Sequence, residues 1–285
     1  MSPRVREAFR QCERMAQEHY ENFPVASLLL PAERRRYVAA VYAFARTADD
    51  FADEGERSNL ERLRLLDDYE HQLAEAYAGR PEGSIFIAIA ETASRTGVPQ
   101  ELLQRLLAAF RMDVTRHRYQ TYAELLGYCE NSANPVGRLV LHLFGETRSA
   151  LQEFSDKICT GLQLANFWQD LSRDLARGRL YVPLEDLERF GYTEGDLAAR
   201  RSDERFVKLM HFEVERTRAL FHQGKGLLRA VHRPLRFEVN LTYRGGLQIL
   251  KKIEQTGYDV LHRRPALSLW DKLAMLVRSG LQTTP

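Results

Sequence analysis

Between its glycine- and proline-bearing breaks this chain repeats its apolar residues at three- and four-residue intervals, and it nowhere sustains the two-residue alternation of a half-buried strand. A helix with one apolar stripe can bury it only against other helices, so the periodicity restricts the fold to an all-α bundle. The breaks fall at 79–83, 96–99, 145, 178–183, 191–195, 224–226 and 264–265. They delimit expected helices over 4–20, 32–53, 58–78, 84–95, 100–116, 121–145, 148–176, 203–230, 236–256 and 267–280. With 285 residues, 44% of them hydrophobic, the chain can bury a large core. No linker rich in Ser, Gly or Pro, no low-complexity tract and no repeat of solenoid period interrupts it, so a single domain over 1–285 is expected.

Two of these helical stretches carry paired acids, Asp49-Asp50-Phe51-Ala52-Asp53 and Asp170-Leu171-Ser172-Arg173-Asp174. Carboxylates four residues apart stack on one helix face. At about 100° per residue, Tyr42, Arg46, Asp49 and Asp53 share one stripe, and Gln163, Asn166, Asp170 and Asp174 share another. Most neighbours of the first pair are apolar, whereas an ordinary surface helix would place Lys or Arg three or four residues from each acid. Like charges buried without counter-ions are very costly, so such stripes persist where a metal or ligand completes them. Two of them facing each other across a bundle would offer four oxygen ligands to a hard cation such as Mg²⁺, whose shell is usually finished by water and substrate phosphates. The pattern therefore points to chemistry on a diphosphate. Gln163 and Asn166 lie in an apolar stretch on the same face, and a buried amide needs a partner. Asp67-Asp68 lies among Glu61, Arg62, Arg64 and Glu70 and reads as solvated surface.

A formal charge of +2, with the basic residues dispersed, gives no nucleic-acid footprint. Three cysteines without metal-type spacing suit a reducing compartment, and Cys129 and Cys159 read as small core residues. No signal-type N-terminus and no apolar run of roughly 18 residues is present, so a soluble, cytoplasmic protein is expected. No glycine-rich strand-to-helix fingerprint points to a nicotinamide cofactor.

The string Val41 to Glu54, then Tyr128-Cys129 with Val136-Gly137, then Gln163-Leu164-Ala165-Asn166 leading into 170–174 and Gly178-Arg179-Leu180-Tyr181-Val182-Pro183, resembles the squalene and phytoene synthase family over roughly residues 15 to 265. Glu21 to Ser27 and Ser132 to Arg138 resemble its bacterial hydroxysqualene synthase branch, in hopanoid-type squalene pathways. Some positions depart from the family pattern. His19-Tyr20-Glu21-Asn22-Phe23 keeps the His and Phe of an early motif without its serines, Gln169 stands where an Arg usually precedes the second motif, and a late tyrosine is replaced within Arg244-Gly245-Gly246.

The resemblance implies an all-α isoprenoid-synthase fold with a central cavity, Mg²⁺ held by Asp49, Asp53, Asp170 and Asp174, and an isoprenoid diphosphate as substrate. It implies that presqualene diphosphate loses diphosphate, rearranges and is captured by water as hydroxysqualene. Arg46 and Arg179 would add charge-assisted contacts to the leaving group. Aromatic faces such as Phe23, Tyr42 and Phe51 would shield the cation, although Tyr42 reads equally as core and Phe51 more readily as core. Gln163, Asn166 or Tyr181 would orient the water or the diphosphate. Tyr128, Ala133, Val136 and Gly137 read as a substrate wall or as residues permitting close helix approach, and His19 as a substrate contact or a structural histidine. A C30 product is almost insoluble, so peripheral contact with a membrane and handover to other squalene-pathway enzymes are expected. Two other readings share this pattern: head-to-head condensation of two farnesyl or geranylgeranyl diphosphates to squalene, dehydrosqualene or phytoene, and a non-catalytic assembly protein. A silent member is free to lose its acids, and both motifs are complete here.

Overall fold

The computed structural model describes residues 1–18, 32–268 and 271. Helices form where the periodicity places them: α1 (Pro3–Glu18), α2 (Ala32–Asp53), α3 (Asn59–Tyr77), α4 (Gly83–Thr96), α5 (Gln100–Thr115), α6 (Tyr122–Ser132), α7 (Asn134–Leu143), α8 (Ser149–Ala176), α9 (Leu184–Arg189), α10 (Glu194–Ala198), α11 (Glu204–Gly224), α12 (Leu227–Ala230) and α13 (Arg233–Gln255). No strand occurs among the described residues.

The departures have local causes. The helix expected over 121–145 is two, α6 and α7, because Pro135 has no N–H for a continuing ladder and its ring opposes the preceding turn. The helix expected over 203–230 breaks after Gly224. A Cβ on Gly224 would lie 2.6 Å from Ile158 Cγ1, and one on Gly226 would lie 2.6 Å from Phe154 Cζ, so both glycines serve close approach to α8. Short α9 and α10 were not anticipated between the glycine breaks; α10 is started by a capping box between Thr193 and Asp196. The helix expected over 267–280 falls almost entirely outside the described residues.

The described residues gather into two compact units. The first comprises those of Met1–Thr115 with Pro135–Arg148; the second comprises Arg116–Asn134 and those from Ser149 onward. In the first unit α2 presents Ala39, Ala40, Ala43 and Ala48 inward, small residues that let α1, α4 and α5 pack closely on it. Its aromatic centre is Phe44 stacked on Tyr69 at 5.0 Å, with Phe51 edge-on to Tyr69 at 5.4 Å. The C-terminus of α2 is capped by Arg62, whose Nη1 donates to the Ala52 carbonyl (2.6 Å) and Nη2 to that of Gly55 (2.9 Å), a cation placed at the negative end of the helix dipole.

In the second unit α8 is the axial helix, packed by α6, α11 and α13. Trp168 is fully buried and donates from Nε1 to Thr217 Oγ1 of α11 at 2.8 Å. Around Arg216 a polar knot is sealed inside: its Nη2 reaches Asp186 and Glu213 at 2.7 Å, and its guanidinium lies 3.6 Å from the centre of the Tyr122 ring. The connections before α6 and after α8 run side by side, Leu180 N donating to His117 O and Leu184 N to Tyr119 O. That pairing holds the segment after the second acidic motif against the body of the unit.

Candidate functional site

The first acidic motif ends α2. Arg46 is mostly buried (19% exposed), and its guanidinium meets Asp49 at 3.4 Å, Asp50 at 2.6 Å and Glu54. The cation that helical phase put on this stripe is the partner of the acids three and four residues on, and Arg46 offsets the charge of Asp49 and Asp50. Asp53 is exposed at the last position of the helix, so of the two expected ligands one is compensated and the other open to solvent. Burial pushes the Tyr42 phenol up, consistent with a hydroxyl on the inner side of the stripe. Phe51 packs against the core of the first unit. Val136 is exposed and Gly137 half-buried on α7. His19 and Phe23 lie outside the described residues.

The second motif ends α8, and its electrostatics differ. The Asp174 carboxyl is pushed up to about 6, first by burial and then by Asp170 beside it, against the pull of Arg179 and Arg177. Arg179 comes close because α8, ending at Ala176, turns at Gly178 (φ +74), where the left-handed conformation lets Arg179 N donate to the Asp174 carbonyl at 2.8 Å. Asp170 is held from the other side by Arg264, which donates from Nη2 to Oδ2 at 3.0 Å and from Nε to Oδ1. Next to it the buried Gln169 donates from Nε2 to the Pro265 carbonyl at 2.6 Å.

Gln163 is half-buried on the stripe expected for it, whereas Asn166 is exposed and is not the buried amide the apolar stretch implied. The reason is directional: Leu164, Ala165, Phe167 and Trp168 are the inward residues of this turn of α8, and Asn166 lies on its open side. Tyr181 is buried and stacks flat on Phe167 with ring centres 3.7 Å apart, and Tyr128 and Tyr119 complete an aromatic cluster within 6.0 Å. Ala133 is buried at the C-cap of α6. Sequence reasoning missed Arg264, the anchoring role of Gln169, and the Phe167 and Tyr119 rings. An arginine pair ahead of a proline break was the one visible signal, and nothing in a linear reading brings it to a carboxylate 94 residues away.

Among the described residues no three Asp, Glu, His or Cys side chains gather around a single point. A hard cation at the second motif would rest on the oxygens of Asp170 and Asp174 and take the rest of its shell from water or substrate. The chemistry fits: two carboxylates crowd each other in a desolvated place, and a dication would relieve that repulsion beside the cations already there, Arg264 and Arg173 on Asp170 and Arg179 and Arg177 near Asp174.

The sequence model of the squalene/phytoene synthase family matches residues 16–271. The chain belongs to the squalene/phytoene synthase family. It is 36% identical to a hydroxysqualene synthase of Rhodopseudomonas palustris, over 80% of this chain and 74% of that protein. To a phytoene synthase of Arthrospira platensis it is 30% identical, over 97% of this chain and 93% of that one. Among solved structures it is similar to a squalene synthase from Alicyclobacillus acidocaldarius, with a TM-score of 0.87 and 41% identity, covering 90% of this chain and 97% of that one. A dehydrosqualene synthase at 22% identity shares the fold, with a TM-score of 0.87 over 98% of this chain and 97% of that one. The all-α bundle expected from the periodicity, and the isoprenoid-synthase fold that the resemblance implied, are thus the fold of this family member. No helix among the described residues is long and apolar enough to cross a membrane.

Proposed function

We propose that this family member converts presqualene diphosphate and water to hydroxysqualene and diphosphate. The observation that carries the choice is the gradient of similarity: 41% identity to a squalene synthase structure and 34 to 36% to three hydroxysqualene synthases, against 28 to 32% to phytoene synthases. Head-to-head condensation of two prenyl diphosphates is the second reading, supported by phytoene synthases that match nearly the whole chain.

When bound, Mg²⁺ would supply Lewis-acid stabilisation of the departing diphosphate. Each unit has an acid pair that would hold such an ion, Asp170 with Asp174 in the second unit and Asp49 with Asp53 in the first. Arg179 and Arg264 bring guanidinium groups to the second motif, where planar, bidentate donors suit phosphate oxygens. Arg46 does the same work at the first motif, bound now to three acids. The rings of Tyr119, Tyr128, Phe167 and Tyr181 are buried against one another and back the segment that follows the second motif. Gln163, half-buried on the acid stripe, is the amide we favour for orienting the water that ends the reaction. The product is apolar, so we infer peripheral contact with a membrane at the point of release. The chain leaves the first unit at residue 115, re-enters at 135 and leaves again at 148, and we propose that the two units fold as one domain.

Incubation with Mg²⁺ and, in separate reactions, presqualene diphosphate and farnesyl diphosphate, with products identified by mass spectrometry, tests this reading. Turnover of presqualene diphosphate to a C30 alcohol is expected. A C30 hydrocarbon or cyclopropyl product from farnesyl diphosphate alone would replace it with the condensation reading.

A further inference from the structure

The segment that follows α13 is tied to the second acidic motif by two adjacent contacts of different kinds. Pro265 is buried while Arg263, Arg264 and Ala266 around it are exposed, so it is the point at which this segment is pinned. The pin is Gln169, itself 8% exposed, whose Nε2 donates to the Pro265 carbonyl at 2.6 Å across 96 residues of sequence. One residue along on each side, Arg264 reaches Asp170 with Nη2 at 3.0 Å and with Nε.

We propose that Gln169 is a positioning residue: by holding the Pro265 carbonyl it presents the Arg264 guanidinium to Asp170, and so to any diphosphate gathered there. An exposed arginine on an unanchored segment must surrender backbone and side-chain freedom to form such a pair, which leaves solvent-exposed ion pairs weak. A buried neutral hydrogen bond one residue away removes most of that cost in advance. The choice of residue type fits. An amide can donate to a carbonyl in the interior without carrying a charge, where a cation at position 169 would need a buried counter-ion. Arg264 then works as a resident cation that shares Asp170 until a phosphate group arrives, and a guanidinium is suited to move from one planar oxygen pair to another.

The inference rests on the diphosphate reading above, and its test separates the two. Binding of inorganic diphosphate with Mg²⁺ to the full chain would be measured by calorimetry for the natural sequence, Gln169→Met, Arg264→Gln and the double variant. Q169M keeps the length and loses the donor. It is expected to weaken diphosphate binding by roughly two- to tenfold, the scale of ordering one long side chain, and to do so only while Arg264 is present, so that the double variant binds like R264Q. Equal weakening in both backgrounds would make Gln169 a packing residue, and no weakening in either would remove its role; both outcomes overturn the proposal. If the natural sequence binds no diphosphate, the functional reading fails and this inference with it. Should Q169M not fold, Gln169→Asn, which keeps the amide but shortens its reach, carries the same cycle.

Discussion

Replacing Glu238 by glutamine is expected to flatten the pH dependence of stability, and the size of the effect follows from where the residue sits. Glu238 lies on α13 at 7% exposure, and among the described residues its Oε1 has no hydrogen-bond partner. Burial alone pushes its carboxyl from an ordinary 4.5 up to about 7. The unfolded chain therefore releases this proton near pH 4.5, while the folded protein keeps it until about pH 7. Across that window the folded state binds more protons than the unfolded state, so stability falls as pH rises. A displacement of this size corresponds to about 3 kcal/mol, absent below pH 4 and fully developed above pH 8. Glutamine cannot titrate, and every other group is common to both proteins. The stability of the natural sequence minus that of the variant should then drop by about 3 kcal/mol between pH 4 and pH 8, a relative shift of roughly 5 °C or more in melting temperature. Thermal melts of both proteins at pH 4, 6 and 8 measure it. Parallel profiles would show that Glu238 reaches a partner or water in the folded state and would refute the reasoning.

Asp174→Asn keeps the shape of the side chain and removes its charge; turnover should fall by about 100-fold or more with the far-ultraviolet dichroism unchanged, because charge stabilisation is lost and packing is not. Gly246→Ala should cost about 1–3 kcal/mol, since the new methyl would sit 2.3 Å from Phe221 Cζ and 3.0 Å from Leu162 Cδ2. Its neighbour Gly245 has nothing within 4 Å of a built Cβ, so Gly245→Ala should gain up to about 1 kcal/mol of helix stability. Chemical denaturation of the two glycine variants side by side checks the pair, and equal effects would argue against this packing of α13.

Much of the secondary structure was readable because it depends on local terms. The period of apolar residues marked α2 at its observed bounds and α8 to within one residue, and the acid pairs fell on the C-terminal turns where spacing put them. Two errors came from reading a long apolar stretch as uninterrupted: Pro135 divides α6 from α7, and the approach of Gly224 and Gly226 to Phe154 and Ile158 ends α11 early. The first was legible in principle, since proline carries its own rule. The second was legible too, since 224–226 stands among the glycine breaks; what the sequence did not show is that these glycines are needed for contact with Phe154 and Ile158.

Individual side chains of the site divide the same way. Residue type and helical phase were enough to gather Arg46 with Asp49 and to set Asp170 above Asp174, since partners one turn apart are fixed by 3.6 residues per turn. Which acids are short of counter-charge was decided by folding. Arg46 serves Asp49 and Asp50, whereas Asp174 is desolvated against Asp170 and leans on Arg179, a neighbour delivered by the turn at Gly178. Tyr181, expected as one of the residues that orient the water or the diphosphate, is buried with its ring stacked on Phe167, a neighbour that only folding supplies. Thus the chain's own periodicity and acid spacing determined an all-α bundle with two carboxylate pairs, and its motif strings carried the resemblance to this family. Only the tertiary structure brought Arg264 and Pro265 to Asp170 and Gln169, because contacts across more than ninety residues depend on how helices pack and leave no periodic trace in the sequence.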